Sequence, residues 1–175
     1  VNVPKKRISR VHEGYASSYS NPAIYPKAQK LVLHYTNAGA SGFAPVAKRR
    51  PGARAAIVGF DGKLVRHLEI PPNHSGPAFS PSVEYFATIE IVDHKETYQP
   101  PLVRGKKQPP REIAVAYDHL RIYRTSDGKQ VADTKLNKVG IEHYRVAWNS
   151  DGGPAARRFG KEEHFDLVGK KVKTI

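Results

Sequence analysis

Histidine and carboxylate side chains stand at a few points of this chain where they could do chemistry. His34 closes the apolar run Leu31-Val32-Leu33, within Leu33-His34-Tyr35-Thr36-Asn37. A short β-type run ending in histidine carries an imidazole to the open end of a strand, a place for a metal ligand or an acid/base group. Glu90 interrupts the apolar pattern of residues 87–92, where alternation puts Thr88, Glu90 and Val92 on one face and Ile89 and Ile91 on the other. A lone acid in such a strand is costly unless it is paired or faces a cleft. Beside a metal it would be the base that takes a proton from bound water. His74 lies in the loop Asn73-His74-Ser75-Gly76, His143 in Gly140-Ile141-Glu142-His143, and residues 160–167 gather Lys161, Glu162, Glu163, His164 and Asp166. Cysteine is absent, so a zinc site here would use His with Asp or Glu, the donor set of catalytic sites. His12, His67, His94 and His119 fit no ligand spacing and read as surface or hydrogen-bonded residues.

The elements that must position these groups can be read coarsely. Strands are expected near 55–60, 63–69 and 86–92, the first two forming a hairpin about Asp61-Gly62. Residues 99–110 hold four prolines and a basic cluster, the composition of a surface loop. Pro109-Pro110-Arg111-Glu112 looks like a helix start, and Ile113, Ala116-Tyr117, Leu120 and Tyr123-Arg124 recur at helical spacing. An amphipathic helix over 111–123 is therefore expected, although alternation also fits strands at 113–117 and 119–123. Residues 1–29 read as an N-terminal arm and 30–175 as a single domain.

In their order, the His34 strand end, the Asp-Gly hairpin, the His74 loop, the strand around Glu90, the His143 segment and the Lys161 stretch resemble the zinc-dependent N-acetylmuramoyl-L-alanine amidases of type 2. That family is related in fold to the peptidoglycan recognition proteins. The resemblance implies an α/β fold, with a central mixed β-sheet flanked by helices. It also implies a Zn²⁺ ion held by His34, His143 and Glu163, with His164 and Asp166 as alternatives to Glu163. Glu90 would be the general base, Lys161 would stabilise the oxyanion, and His74 would line the peptide groove. The implied activity is that of a phage or bacterial lytic amidase acting at the cell wall on peptidoglycan. Two family features have no counterpart here: the Pro-Gly after the third ligand and the aromatic residue before the hairpin, where Ala55 and Ala56 stand.

Composition frames two further readings. The chain has 175 residues, a 39% hydrophobic fraction and a net charge of +13. That length suffices for one cored domain, and no run approaches the roughly 18 apolar residues of a membrane span. No secretory signal is visible after the basic residues 1–10. The charge lies in short clusters: Lys5-Lys6-Arg7, Lys48-Arg49-Arg50, Arg104 to Lys107, Arg157-Arg158 and Lys170-Lys171. Such a surface attracts polyanions, whether anionic cell wall or nucleic acid. The alternatives to the amidase are thus a non-catalytic structural or wall-binding relative and a nucleic-acid- or ribosome-associated β-rich protein. For the last, nine tyrosines offer stacking surfaces beside the basic clusters. Charge and pattern leave the oligomeric state open.

Overall fold

In the computed structural model the described residues are 18–19, 23–36, 54–70, 77–139, 144–149 and 152–175. Among them 64% are in strands and 2% are helical, the latter a single 3-10 turn at Pro26–Ala28. The expected α/β fold, with a mixed sheet flanked by helices, is therefore corrected to an antiparallel β fold of three sheets.

The first sheet joins β1 (Ser18–Tyr19), β2 (Ala23–Tyr25), β3 (Lys30–Thr36), β4 (Arg54–Gly59) and β5 (Leu64–Glu69), with β1 and β2 both pairing along β3. The Asp-Gly hairpin forms as expected between β4 and β5. Asp61 Oδ1 accepts from the Lys63 amide at 3.0 Å, and Gly62 supplies the positive φ (82°) that the turn needs. The second sheet runs β6 (Ala78–Phe79), β7 (Tyr85–Tyr98), β8 (Arg111–Arg124), β9 (Gln130–Lys138). The third is β10 (Arg145–Trp148), β11 (Pro154–Arg158), β12 (Lys161–Phe165), β13 (Lys171–Thr174).

The helix expected over 111–123 is β8. Its fourteen residues pair with β7 from Tyr85↔Arg124 to Tyr98↔Arg111. The helical spacing arose because β8 is covered on both faces near its end. Tyr117, Leu120 and Tyr123 are buried, yet they belong to different faces of the strand. Isoleucine, valine and tyrosine along 113–123 also suit a pleated surface, and a long partner strand satisfies every ladder position.

The second sheet is the middle layer. Phe86 and Tyr123, opposite one another in register, pack with Val32, Ala55, Ile57, Leu68 and Ile70 of and beside the first sheet. The other face carries Ala87, Ile89, Leu120, Ile122 and Ala132, which pack with Tyr144, Ala156 and Phe165 of and beside the third. Period-two alternation therefore feeds two cores from one sheet. The third sheet is pinned by polar contacts as well. Arg158 Nη1 lies 4.0 Å from the fully buried Asp118, and Thr134 Oγ1 donates to the Gly169 carbonyl at 2.6 Å. No helix among the described residues is long and apolar enough to cross a membrane.

Candidate functional site

The residues singled out from sequence fall on different sheets. His34 is on β3 opposite Ala55, in the first sheet, and its side chain lies outside the described residues, as do His74 and His143 altogether. Glu90 is on β7 in the second sheet, where Arg121 forms an ion pair with it. Glu163 and Lys161 are on β12 in the third sheet; Lys171 Nζ lies 3.1 Å from Glu163 Oε1, and Lys161 is exposed. Of the alternatives for the third ligand, His164 contacts Glu162 Oε1 through Nε2 at 2.9 Å. Asp166 Oδ1 accepts from the amides of Val168 and Lys170. Among the described residues no three His, Asp or Glu side chains come together as a metal-holding group. Each donor that can be placed is engaged within the third sheet, Glu163 by Lys171, His164 by Glu162 and Asp166 by backbone amides.

The structure does assemble a polar ladder on the first-sheet side of the second sheet. On this face β7 presents Glu90, His94 and Glu96, β8 presents Tyr117, His119 and Arg121, and β9 presents Asp133 and Lys135. Arg121 bridges Glu90 and Asp133, the latter at 3.3 Å. Burial pushes the Arg121 guanidinium down, but the two carboxylates outweigh this and hold it above its ordinary value. Asp133 Oδ1 lies 2.6 Å from His119 Nδ1, and His119 Nε2 lies 2.8 Å from His94 Nε2. The two ring centres are 5.0 Å apart and the planes 15° apart, so the imidazoles meet end to end. A neutral pair satisfies both contacts when His119 carries its proton on Nδ1 and accepts at Nε2 from His94. Further out, Glu96 accepts from the Tyr117 hydroxyl and from Lys138 at 2.6 Å, while the Lys135 ammonium sits 3.5 Å over the Tyr117 ring. The bonds from Lys138 first, then Tyr117, hold the Glu96 carboxyl below the usual range; the bond to Glu96 in turn raises the Tyr117 phenol.

This ladder clamps the root of a projection. β9 pairs with β8 only from Tyr117 onward, and β6 meets β7 only at Phe86 and Ala87. No residue of 93–98 or 111–116 is buried, and among the described residues no third strand pairs with 93–98 or 111–115, so β7 and β8 continue there as a two-stranded ribbon about 20 Å long. Along it Arg111 lies over the Tyr98 ring at 5.4 Å and Lys95 pairs with Glu112 at 3.4 Å.

At the tip, Gln99 Nε2 donates to the Gln108 carbonyl at 2.8 Å and narrows the neck. Val103 and Lys106 then exchange backbone hydrogen bonds of 3.1 and 3.0 Å about Arg104 and Gly105. Both central residues have positive φ, 49° and 73°, as a type I′ turn requires. Residues 99–111 contain Arg104, Lys106, Lys107 and Arg111 and no acid. A second basic feature is a hollow of about 510 Å³ between the first two sheets, with Lys30, Arg66 and Arg124 against the single acid Glu84 in its lining.

Sequence reading flagged the basic, proline-rich 99–110 segment as a loop but missed that it caps a two-stranded ribbon. Treating 111–123 as the partner strand of 85–98 was the signal available. His119 was read as a surface or hydrogen-bonded residue; it is buried and hydrogen-bonded at both ring nitrogens. No protein-family model and no curated protein matches the chain.

Proposed function

We propose that this protein binds nucleic acid, engaging double-stranded DNA through the β7–β8 ribbon. The observation that carries the reading is the ribbon itself: a braced two-stranded arm leaves the packed body and ends in four cations with no acid. Two-stranded ribbons are of a size to enter a duplex groove, in the major or minor groove depending on the protein. The net charge of +13 supplies the long-range attraction, and the tip supplies local phosphate contacts. The amidase expectation drew its site from the ends of strands in an α/β sheet. Three antiparallel sheets stand in its place, with Glu90 in the second and Lys161 and Glu163 in the third.

The test is binding of a 30-base-pair duplex followed by fluorescence anisotropy between 50 and 200 mM salt. Each phosphate neutralised contributes about 0.9 to the slope of log K against log salt. Changing Arg104, Lys106 and Lys107 together to Gln should therefore flatten the slope by about 2.7. All three are exposed, so the variant should keep the wild-type melting temperature. An unchanged slope removes the ribbon from the interface. No duplex binding at 50 mM salt, with association to insoluble peptidoglycan instead, overturns the reading in favour of a wall-binding protein.

A further inference from the structure

Resting on the nucleic-acid reading, we infer that the ribbon tip is an apolar wedge that enters a base step from the minor groove and bends the duplex. Leu102 is 63% exposed and Val103 53% exposed, consecutive residues leading into the Arg104-Gly105 turn at the end of the ribbon. An arm that only neutralised phosphates would have no use for aliphatic side chains there. Water-exposed leucine and valine next to four cations are instead the pairing expected of a side chain that leaves water between bases while its neighbours hold the flanking phosphates.

The surrounding geometry holds the wedge stiffly. Pro100-Pro101 and Pro109-Pro110 fix φ on both sides of the neck. The Gln99–Gln108 bond ties the two sides together. The turn itself is the tightest a hairpin allows, and it holds Arg104 at a positive φ that L side chains adopt only at a cost. That conformation makes the tip one hairpin wide. A narrow, pre-ordered tip loses little freedom on insertion. Minor-groove proteins that insert apolar side chains unstack the step and kink the duplex by about 20–90°. The ligand is therefore B-form duplex DNA, with preference for steps that unstack readily.

The experiment uses the full chain and a 30-base-pair duplex carrying a donor and an acceptor dye at its two ends. Energy transfer is read at protein concentrations where anisotropy shows saturation. Wild-type protein should raise the transfer, and the Leu102→Ser, Val103→Ser double variant should lose at least half of that rise. The double variant should keep the wild-type slope of affinity against salt, because its phosphate contacts are intact. Saturated wild-type complex with unchanged transfer overturns the wedge while leaving DNA binding standing, and so does a double variant that bends fully. Absence of saturation with any duplex overturns the DNA reading and the wedge together. Tighter binding to A-form RNA duplex than to DNA also overturns the wedge, since that helix offers no comparable step from its shallow groove.

Discussion

Replacing Arg121 by methionine tests whether the polar ladder truly braces the root of the ribbon. The aliphatic stem is roughly kept, but the guanidinium that bridges Glu90 and Asp133 is lost, and two carboxylates are left facing each other. The Arg121 and Glu90 side chains are 22% and 17% exposed, so the pair lies between a surface bridge and a sealed one. Breaking a fully buried pair costs about 3–5 kcal/mol and an exposed pair under about 1. About 2 kcal/mol is thus expected for Arg121→Met, a fall of roughly 4–8 °C in Tm for a chain of this size. Glu90→Gln alone keeps the shape and gives up a charge-assisted bond, about 1.5 kcal/mol.

The double variant supplies the decisive comparison. With Glu90 already neutral, removal of Arg121 strands one carboxylate fewer, so the combined loss should be about 2 kcal/mol, short of the sum by about 1.5. Urea unfolding of the four proteins reads all of these values, and amide exchange in residues 93–98 should quicken in the same order. An Arg121→Met loss under about 0.5 kcal/mol, or a double variant whose loss equals the sum, refutes the brace.

Two further perturbations follow from the same packing. Glu96 has its folded pKa lowered below the ordinary 4.5, first by Lys138 and then by Tyr117. Its stabilisation is present above pH about 4.5 and fades as pH falls through the lowered value. The Tm difference between wild type and Glu96→Gln should accordingly be level at neutral pH and close in acid, and a difference that widened on acidification would contradict the sign. Gly169 has φ 83°, and a Cβ there would stand 2.5 Å from Thr134 Oγ1 and 3.1 Å from Ala132 Cβ. Gly169→Ala should therefore cost about 1–3 kcal/mol by urea unfolding, because it pays backbone strain and also pries the third sheet from β9. Gly128→Ala, at φ 72° with open space around its Cβ, should pay the backbone part alone; equal losses would show that the contact with β9 contributes nothing.

What the sequence determined by itself was what short-range chemistry can decide. Asp61-Gly62 makes its turn because a carboxylate accepts the amide two residues on and glycine takes the positive φ. The alternation of residues 87–92 places Glu90 opposite to Ile89 and Ile91 in any extended pairing, and the structure keeps that division. Four prolines kept 99–110 out of long strands and helices, and a net charge of +13 gave the chain an electrostatic attraction to polyanions whatever the fold. Tertiary structure decided the rest. Residues 111–123 carry apolar side chains at spacings that suit a helix and a strand buried on both faces, and only the fourteen-residue pairing with β7, under cover from two other sheets, selects the strand. That choice also makes the polar ladder. His94, His119 and Asp133 are 25 and 14 residues apart along the chain, yet neighbouring strands bring the two imidazoles to 2.8 Å and the carboxylate to 2.6 Å. Local pattern carries no record of which strand lies beside which. That record is held in burial and register summed over the whole sheet, which is why the basic loop could be read in the sequence and the arm that carries it could not.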